Sequence, residues 1–529
     1  MGGSGRAGSD TRTGRAEEPN STLTAALDSA LAAALALGLI AVLAPRVAGF
    51  TTDSESYLDV ARSVLAGDGL VGRVVDFWRP RWPEPLGMWP PLYPLAVAGA
   101  AAAGLSLEAA ARAVSMVSFV VFALAFLALA RRALGRRGSL AVTVLALTSS
   151  GVALAAVMAW SEMLYLALAT LALLGLSRGE GQGGTRSLVL SGLCAGFAGL
   201  ARYLGAILVP LGILELATRR AGRKALVYWT GAAILPPLAW YAHNVLLFGS
   251  AAGPGLPASD RTPGALLGSL AGALRWQLLP EPLARNVLLA GALLVAMALL
   301  LVLALRRGGA GRISVFYALG HLAALAGLRA LFTFNELGER YVSPALPFLW
   351  LGASAGAVAL AGRVRGSRTI LALAALGLVG FSLVDLAGVV GTHRVPPPEA
   401  AAREEDLRDI RQLLGPGSGG GPVLSDAGHL VRSATRRGAI EIPALGFRLR
   451  EFTAADELRW EAAGVGWGLF RRIPRGGTAR EGVFGAYLEA RVGGVGPQAW
   501  VPTDSTARFI LYRLPAPNLR GNGMLPRHS

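Results

Sequence analysis

Between residues 51 and 94 an acidic cluster, Thr51-Thr52-Asp53-Ser54-Glu55-Ser56-Tyr57, is followed by Arg79 and Arg81 and then by Trp89-Pro90-Pro91-Leu92-Tyr93-Pro94. Carboxylates can move protons or hold cations, and guanidiniums hold oxyanions. Glu162, Arg202-Tyr203, His243-Asn244 and Arg340-Tyr341 stand at intervals along a chain that is otherwise apolar. Ionisable groups at membrane depth are costly and tend to face a polar cavity. One cavity shared by all of them would account for them together.

The elements that must position these residues are membrane helices. Of the 529 residues, 53% are hydrophobic and only 16% charged, whereas a soluble chain would carry about a quarter charged residues. Apolar runs near ~20 residues recur, which implies a mostly α, polytopic membrane protein. The formal net charge is +17. The arginines, however, sit in short clusters between the apolar runs. That pattern marks cytoplasmic membrane loops and excludes a nucleic-acid-binding face. Cys194 is the only cysteine, which excludes a disulfide framework and a cysteine metal site.

Arg6, Arg12 and Arg15 precede the first apolar run, so the positive-inside rule places the N-terminus in the cytoplasm. Residues 1–20, rich in Gly, Ser and Arg, read as a disordered tail. The run Leu23–Ala44 is too long for the apolar core of a signal peptide and reads as the first span. About eleven spans follow from the arginine pattern: Leu23–Ala44, Ala109–Ala130, Leu140–Ala159, Met163–Leu176, Leu188–Leu200, Leu204–Ala217, Ala225–Leu247, Asn286–Leu305, Ser314–Leu331, Tyr341–Ala361 and Ile370–Val390. Leu92–Leu105 is too short to cross and reads as interfacial or re-entrant. Residues 21–391 form this membrane domain.

In the first outer loop, Thr52-Asp53-Ser54-Glu55 fits a capping box, with Thr52 as N-cap and Glu55 at N3. It would open a short amphipathic surface helix that Gly67 ends. Phe248–Arg285 and Thr333–Arg340 read as outer loops. Trp78, Trp82, Trp89 and Trp160 suit an aromatic belt. Gly192 and Gly196, four apart, suit close helix packing. Pro396-Pro397-Pro398 reads as a stiff linker. Beyond it, residues 392–529 read as a small soluble α/β domain on the outer side, with a helix at Asp406–Leu414 and strands at Pro422–Asp426 and Arg508–Tyr512. In this topology Asp53, Glu55, Arg81, Trp89, Tyr93, Glu162, Arg202, Tyr203, His243, Asn244, Glu336, Arg340 and Tyr341 all fall on the outer side.

Several of these stretches resemble the GT-C membrane glycosyltransferases, in the bacterial branch related to protein O-mannosyltransferases and the lipid A aminoarabinose transferase. The resemblance rests on Asp53-Ser-Glu-Ser-Tyr57 with Gly67-Asp-Gly69, and on Trp89-Pro-Pro-Leu-Tyr-Pro94. It continues through Ser161-Glu162-x-Leu-Tyr165, Gly199-Leu-Ala-Arg202-Tyr203-x-Gly205, Trp240-Tyr-x-x-Asn244 with Phe248-Gly249, and Arg340-Tyr-x-x-Pro344-Ala-Leu-Pro347. It covers about Leu23–Val390, in the family's order. It implies a multi-pass enzyme of the bacterial inner membrane. Such an enzyme moves a sugar from a polyprenyl-phosphate donor to a lipid, glycan or protein acceptor at the extracytoplasmic face, by a single inverting displacement.

The resemblance also implies roles. Asp53 matches the acid of the first loop, the general base. Arg202 matches a position beside the donor phosphate, with Arg340 and Arg81 as further phosphate-binding candidates. Glu162 matches the second-loop acid, which orients the acceptor or binds a cation. Tyr57, Trp89, Tyr93, Tyr203, His243, Asn244 and Tyr341 would line the substrate pocket. Many relatives carry adjacent Asp-Glu in the first loop, whereas Ser54 separates the two acids here, so Glu55 stands as an alternative base. A tryptophan, Trp89, stands before Pro90 where relatives often have a basic residue, and Arg79 or Arg81 could substitute. No ligand set for a metal is spelled out, and a divalent cation stays open as cofactor. A transporter or lipid flippase and a non-catalytic membrane scaffold are the competing readings.

Overall fold

The computed structural model describes residues 19–47, 49–76, 83–251, 253–254, 262–279, 281–332, 339–361, 367–393, 397–415, 421–425, 427–435, 437–441, 465–471, 500–506 and 508–514. Arg79, Arg81, Trp78, Trp82 and Glu336 lie outside the described residues.

The first apolar run forms α1 (Pro19–Leu43), and the acidic cluster that follows forms α2 (Thr52–Leu65). The cap lies one residue earlier than the sequence suggests. Thr51 is the N-cap, and Ser54 rather than Glu55 closes the box, accepting the Thr51 backbone N–H at 3.0 Å. A serine hydroxyl reaches back to the chain more directly than the longer glutamate. The shift leaves Asp53 in the first turn without a capping duty.

Short strands β1 (Val71–Gly72), β2 (Val74–Asp76) and β3 (Glu84–Pro85) follow α2. Then comes α3 (Leu92–Ala102), whose 11 residues reach only ~16 Å, about half a bilayer core. Tyr57, Leu58 and Ala61 of α2 pack with Tyr93, Val97 and Ala98 of α3 and with Ala110 and Ala111 beyond it. The amphipathic surface helix therefore has its apolar face buried on membrane-domain helices.

α4 (Leu107–Thr148) breaks at Gly135, whose φ of 70° kinks the helix within the Arg131–Arg137 cluster. α5 (Ser150–Val157) and α6 (Glu162–Leu176) meet at 115° across a four-residue break that carries Trp160 and Ser161. α7 (Gly179–Ala201), a 3₁₀ turn at Tyr203–Ile207, α8 (Leu208–Thr218) and α9 (Arg223–Phe248) come next. A Cβ on Gly192 would stand 2.4 Å from the Trp229 backbone oxygen, and one on Gly196 2.7 Å from that of Ala233. This pair of glycines lets α7 and α9 touch backbone to backbone.

Phe248–Arg285, read as a loop, contains α10 (Pro263–Leu278) and α11 (Glu281–Arg285). Thr262 caps α10 and Pro263 takes its first position, an N-terminal signature present in the sequence. α12 (Val287–Arg307), α13 (Gly309–Leu331), α14 (Glu339–Val342), α15 (Leu346–Ala361) and α16 (Ser367–His393) complete the apolar part. Six of these helices are long and apolar enough to cross a membrane, or seven with the bent α5–α6 pair, among the described residues. The eleven expected runs are helical apart from breaks within Leu140–Ala159, but α9, with two internal prolines and several Trp and Tyr, α16 and the shorter helices stand outside that count.

Pro397 and Pro398 are not a linker but the first turn of α17 (Pro397–Leu413), where proline's fixed φ is pre-set for a helix. β4 (Val423–Ser425), α18 (Gly428–Thr435), β5 (Ala439–Glu441), β6 (Trp467–Arg471), β7 (Val501–Ser505) and β8 (Phe509–Arg513) follow. The sheet runs β2-β5-β4-β6-β8-β7. Its edge strand β2 belongs to the first loop, and Val74 pairs in parallel with Ala439. The first loop thus holds strands as well as helices, and the C-terminal sheet is built partly from it.

Two ion-paired clips close the arginine-rich end of the bundle. Asp28 of α1 takes Arg131 at 2.8 Å and Arg136 at 3.0 Å. Glu215 of α8, fully buried, takes Arg219 and, at 3.0 Å, Arg312.

Candidate active site

Four charged groups from four segments meet beneath α2. Asp53 leaves the first turn of α2. Glu162 opens α6, where a helix N-terminus favours a carboxylate. Arg202 caps α7, and Arg340 stands in α14. Arg340 bridges the two acids, giving Nη1 to Asp53 and Nε to Glu162. Arg202 Nη1 reaches the same Glu162 oxygen at 2.6 Å. Glu162 is 2% exposed, and its other oxygen, Oε2, is buried without a hydrogen-bond partner. Two carboxylates and two guanidiniums balance in charge, with one acceptor oxygen unused.

The surroundings fix this cluster. The Arg340 guanidinium lies 4.4 Å over the Trp160 ring, and Trp160 Nε1 donates to the Thr51 cap hydroxyl at 2.9 Å. Trp160 is therefore a buried support for the arginine rather than part of an aromatic belt. Tyr57 shares a hydrogen bond with Ser161 at 3.1 Å, and Ser161 accepts Arg202 Nη1 at 3.3 Å. Burial, and then the charges of Asp53 and Glu162, push the Tyr57 phenol above its ordinary range, so it stays a proton donor. Tyr57 packs edge-on against Tyr93 at 4.9 Å and Trp89 at 5.7 Å. Tyr93 donates to the Ala111 carbonyl at 3.0 Å.

A second layer lies inside the apolar helices, where Tyr165 belongs to a motif but its partners His321 and Tyr317 carry no signal in the sequence. His321 Nε2 meets the Tyr341 carbonyl at 3.0 Å, and its Nδ1 meets Tyr165 at 3.0 Å. Tyr317 donates to Tyr165 at 2.9 Å. A carbonyl can only accept, so the proton sits on Nε2 and the Tyr165 hydroxyl donates to Nδ1. This relay holds the backbone next to Arg340. His321→Leu is expected to strand Tyr165 and the Tyr341 carbonyl and to cost on the order of 1–3 kcal/mol. An unchanged unfolding midpoint of the detergent-solubilised variant would remove the relay from the site's support.

Tyr203, Trp240, His243 and Asn244 form a neighbouring group. Tyr203 donates to the Gly87 carbonyl at 2.6 Å and receives Asn244 Nδ2 at 3.0 Å. Asn244 also donates to Ala251 at 3.0 Å. A Cβ on Gly253 would lie 2.0 Å from the Gly87 oxygen, so the two loops close on each other here. His243 stacks on Trp240 at 5.0 Å. Asn244 Oδ1 and His243 Nε2 are buried without partners. Glu55 follows Asp53 by about 200° around the helix and lies within electrostatic reach of Arg62. Tyr341 flanks Arg340, and Arg81 lies outside the described residues.

The structure thus gathers Asp53, Glu162, Arg202 and Arg340, with Tyr57, Trp89, Tyr93 and Tyr341 around them, and sets Tyr203, His243 and Asn244 beside them. Among the described residues no three or more His, Cys, Asp or Glu side chains form a ligand set for a metal.

A family model for dolichyl-phosphate-mannose-protein mannosyltransferase matches residues 89–241. No curated protein matches the chain in sequence. Among solved structures, ArnT from Cupriavidus metallidurans superposes with a TM-score of 0.58 at 14% identity, over 93% of this chain and 98% of that one. The same protein bound to undecaprenyl phosphate superposes with the same score. The Archaeoglobus fulgidus oligosaccharyltransferase superposes with a TM-score of 0.51 at 12% identity, over 84% of this chain and 68% of its own. At these identities the likeness is one of fold.

Proposed function

We propose that this chain, which has the GT-C fold of membrane glycosyltransferases, transfers a sugar from a polyprenyl-phosphate donor to a lipid, glycan or protein acceptor. The carrying observation is the meeting of Asp53, Glu162, Arg202 and Arg340 in one buried, charge-balanced cluster beneath α2. The undecaprenyl phosphate bound by ArnT supports a lipid-linked donor.

In this reading the acceptor hydroxyl attacks the anomeric carbon. Asp53 accepts its proton as the new glycosidic bond forms. The bond from the anomeric carbon to the phosphate oxygen breaks, and polyprenyl phosphate leaves with the electron pair. Arg202 and Arg340 stabilise the phosphate, since guanidinium binds its oxygens in a planar fork. One displacement inverts the configuration. The unused Glu162 oxygen accepts a substrate hydroxyl.

Before the donor arrives, Arg340 is occupied by Asp53. A donor phosphate competes for that guanidinium, and taking it releases Asp53 to act as base. Donor binding therefore precedes acceptor activation. In this reading the arginine-rich end faces the cytoplasm, as the positive-inside rule supports, and the cluster and the C-terminal sheet lie on the extracytoplasmic side of the inner membrane. Residues 21–391 serve as the membrane domain, and residues 392–529 as an extracytoplasmic domain.

The test is a panel of polyprenyl-phosphate sugars given to the purified protein, with released polyprenyl phosphate as the readout. Release with a matching glycosylated product is the expected result. Solute uptake into proteoliposomes without any release would replace the enzyme with a transporter.

A further inference from the structure

A buried ion pair on the far side of α2 joins parts of the chain that the proposed reaction leaves idle. Asp59 is 2% exposed and Arg432 6%. Asp59 Oδ1 accepts Arg432 Nε at 2.7 Å. Its Oδ2 accepts the backbone N–H groups of Arg73 at 2.6 Å and Val74 at 2.9 Å. Arg432 sits on α18, which packs against α2, β2, β4 and β5. Val74 opens β2, and the Ala439 N–H reaches the Arg73 carbonyl at 2.8 Å to begin the β2–β5 ladder. One carboxylate therefore ties together α2, the start of β2 and α18.

Asp53 and Asp59 are six residues apart on one helix, about 9 Å along its axis and some 240° around it. α2 is thus gripped from two sides. Asp53, Tyr57, Leu58 and Ala61 engage the membrane helices, and Asp59 engages the C-terminal sheet. A buried ion pair is a poor way to add stability, because desolvation offsets most of the attraction. What it supplies is direction: two acceptor oxygens, each with its own donors, fix the rotation of the helix as an apolar contact does not.

We propose that Asp59 and Arg432 are positioning residues, through which the C-terminal sheet holds α2 at the rotation that brings Asp53 to Arg340 and Glu162. The inference rests on the reading of Asp53 as base. Because a displacement of about 1 Å at a reacting group can cost ~10²-fold in rate, release of this grip reads out as lost turnover rather than lost donor affinity.

The test uses the full chain in detergent, with Arg432→Met, Arg432→Lys and Asp59→Asn beside Asp53→Asn. Arg432→Met keeps an apolar stem and removes the donors. Its kcat is expected to fall about 10- to 10²-fold with the donor KM unchanged. Hydrogen exchange at the amides of α2 should quicken at the same time. Arg432→Lys should recover part of both effects. Asp59→Asn, which keeps an oxygen for the Arg73 and Val74 amides, should lie between them and covers the case in which Arg432→Met does not fold. A kcat within twofold of the parent, or unchanged exchange in α2, overturns the proposal. Faster exchange in α2 together with full activity of Asp53→Asn would uphold the grip and remove the base assignment instead.

Discussion

Asp53→Asn is expected to lower kcat for sugar transfer by about 10²- to 10⁴-fold, the usual worth of a positioned general base. The donor KM should not rise. The amide keeps the shape of the acid and an oxygen toward Arg340, and Arg340 keeps Glu162 as its second anchor, so the fold should survive. Losing the charge leaves Arg340 more available to a phosphate. The measurement is polyprenyl phosphate release at saturating donor, with Glu55→Gln as companion. Wild-type turnover in Asp53→Asn would end its role, and a comparable loss in Glu55→Gln alone would move the role two residues along.

Arg340→Met should have the largest effect on stability. Arg340 is the only described group that bridges Asp53 and Glu162. Without it two carboxylates share a buried site with Arg202 as the remaining counter-charge. Removing one partner of such a set costs about 3–5 kcal/mol. The Trp160 face also loses its cation. Arg340→Lys keeps the charge but has no planar fork to reach both acids, and should fall between the two. Unfolding midpoints in detergent read the lost stability, and binding of the polyprenyl-phosphate donor, expected to weaken with one guanidinium gone, reads the phosphate-binding role. An Arg340→Met protein as stable as the parent, with unaltered donor binding, would remove Arg340 from both roles.

Much of the site was legible because acids and arginines at the ends of apolar runs have few uses other than a shared polar chamber. That logic selects Asp53, Glu162, Arg202 and Arg340, and the structure brings them together. It is blind to groups that satisfy one another within the apolar runs. His321 and Tyr317, one turn apart on α13, read as ordinary interior residues, and Tyr165 on α6 enters only through its motif, since no local pattern shows that the two helices turn them toward one point. Asp59 reads as the solvent side of an amphipathic helix. Its partner lies 373 residues away, beyond any local pattern. The capping box lies one residue earlier than the pattern predicts because Thr51 and Thr52 are both able caps, and the choice falls to Trp160, whose indole N–H donates to the Thr51 hydroxyl. α10 is too short to span and so reads as loop by its hydropathy, although Thr262-Pro263 announces a capped surface helix.

The strand that the first loop lends to the distant sheet has a consequence for how the molecule comes into being. During translation α2 and β2 leave the ribosome early, while β5, β4 and Arg432 follow only after the apolar helices have been threaded into the bilayer. Closing so long a chain segment slows its pairing. The nascent polypeptide therefore carries α2 without its sheet contacts through most of its synthesis, and a prematurely terminated product would sit in the membrane with Asp59 lacking Arg432.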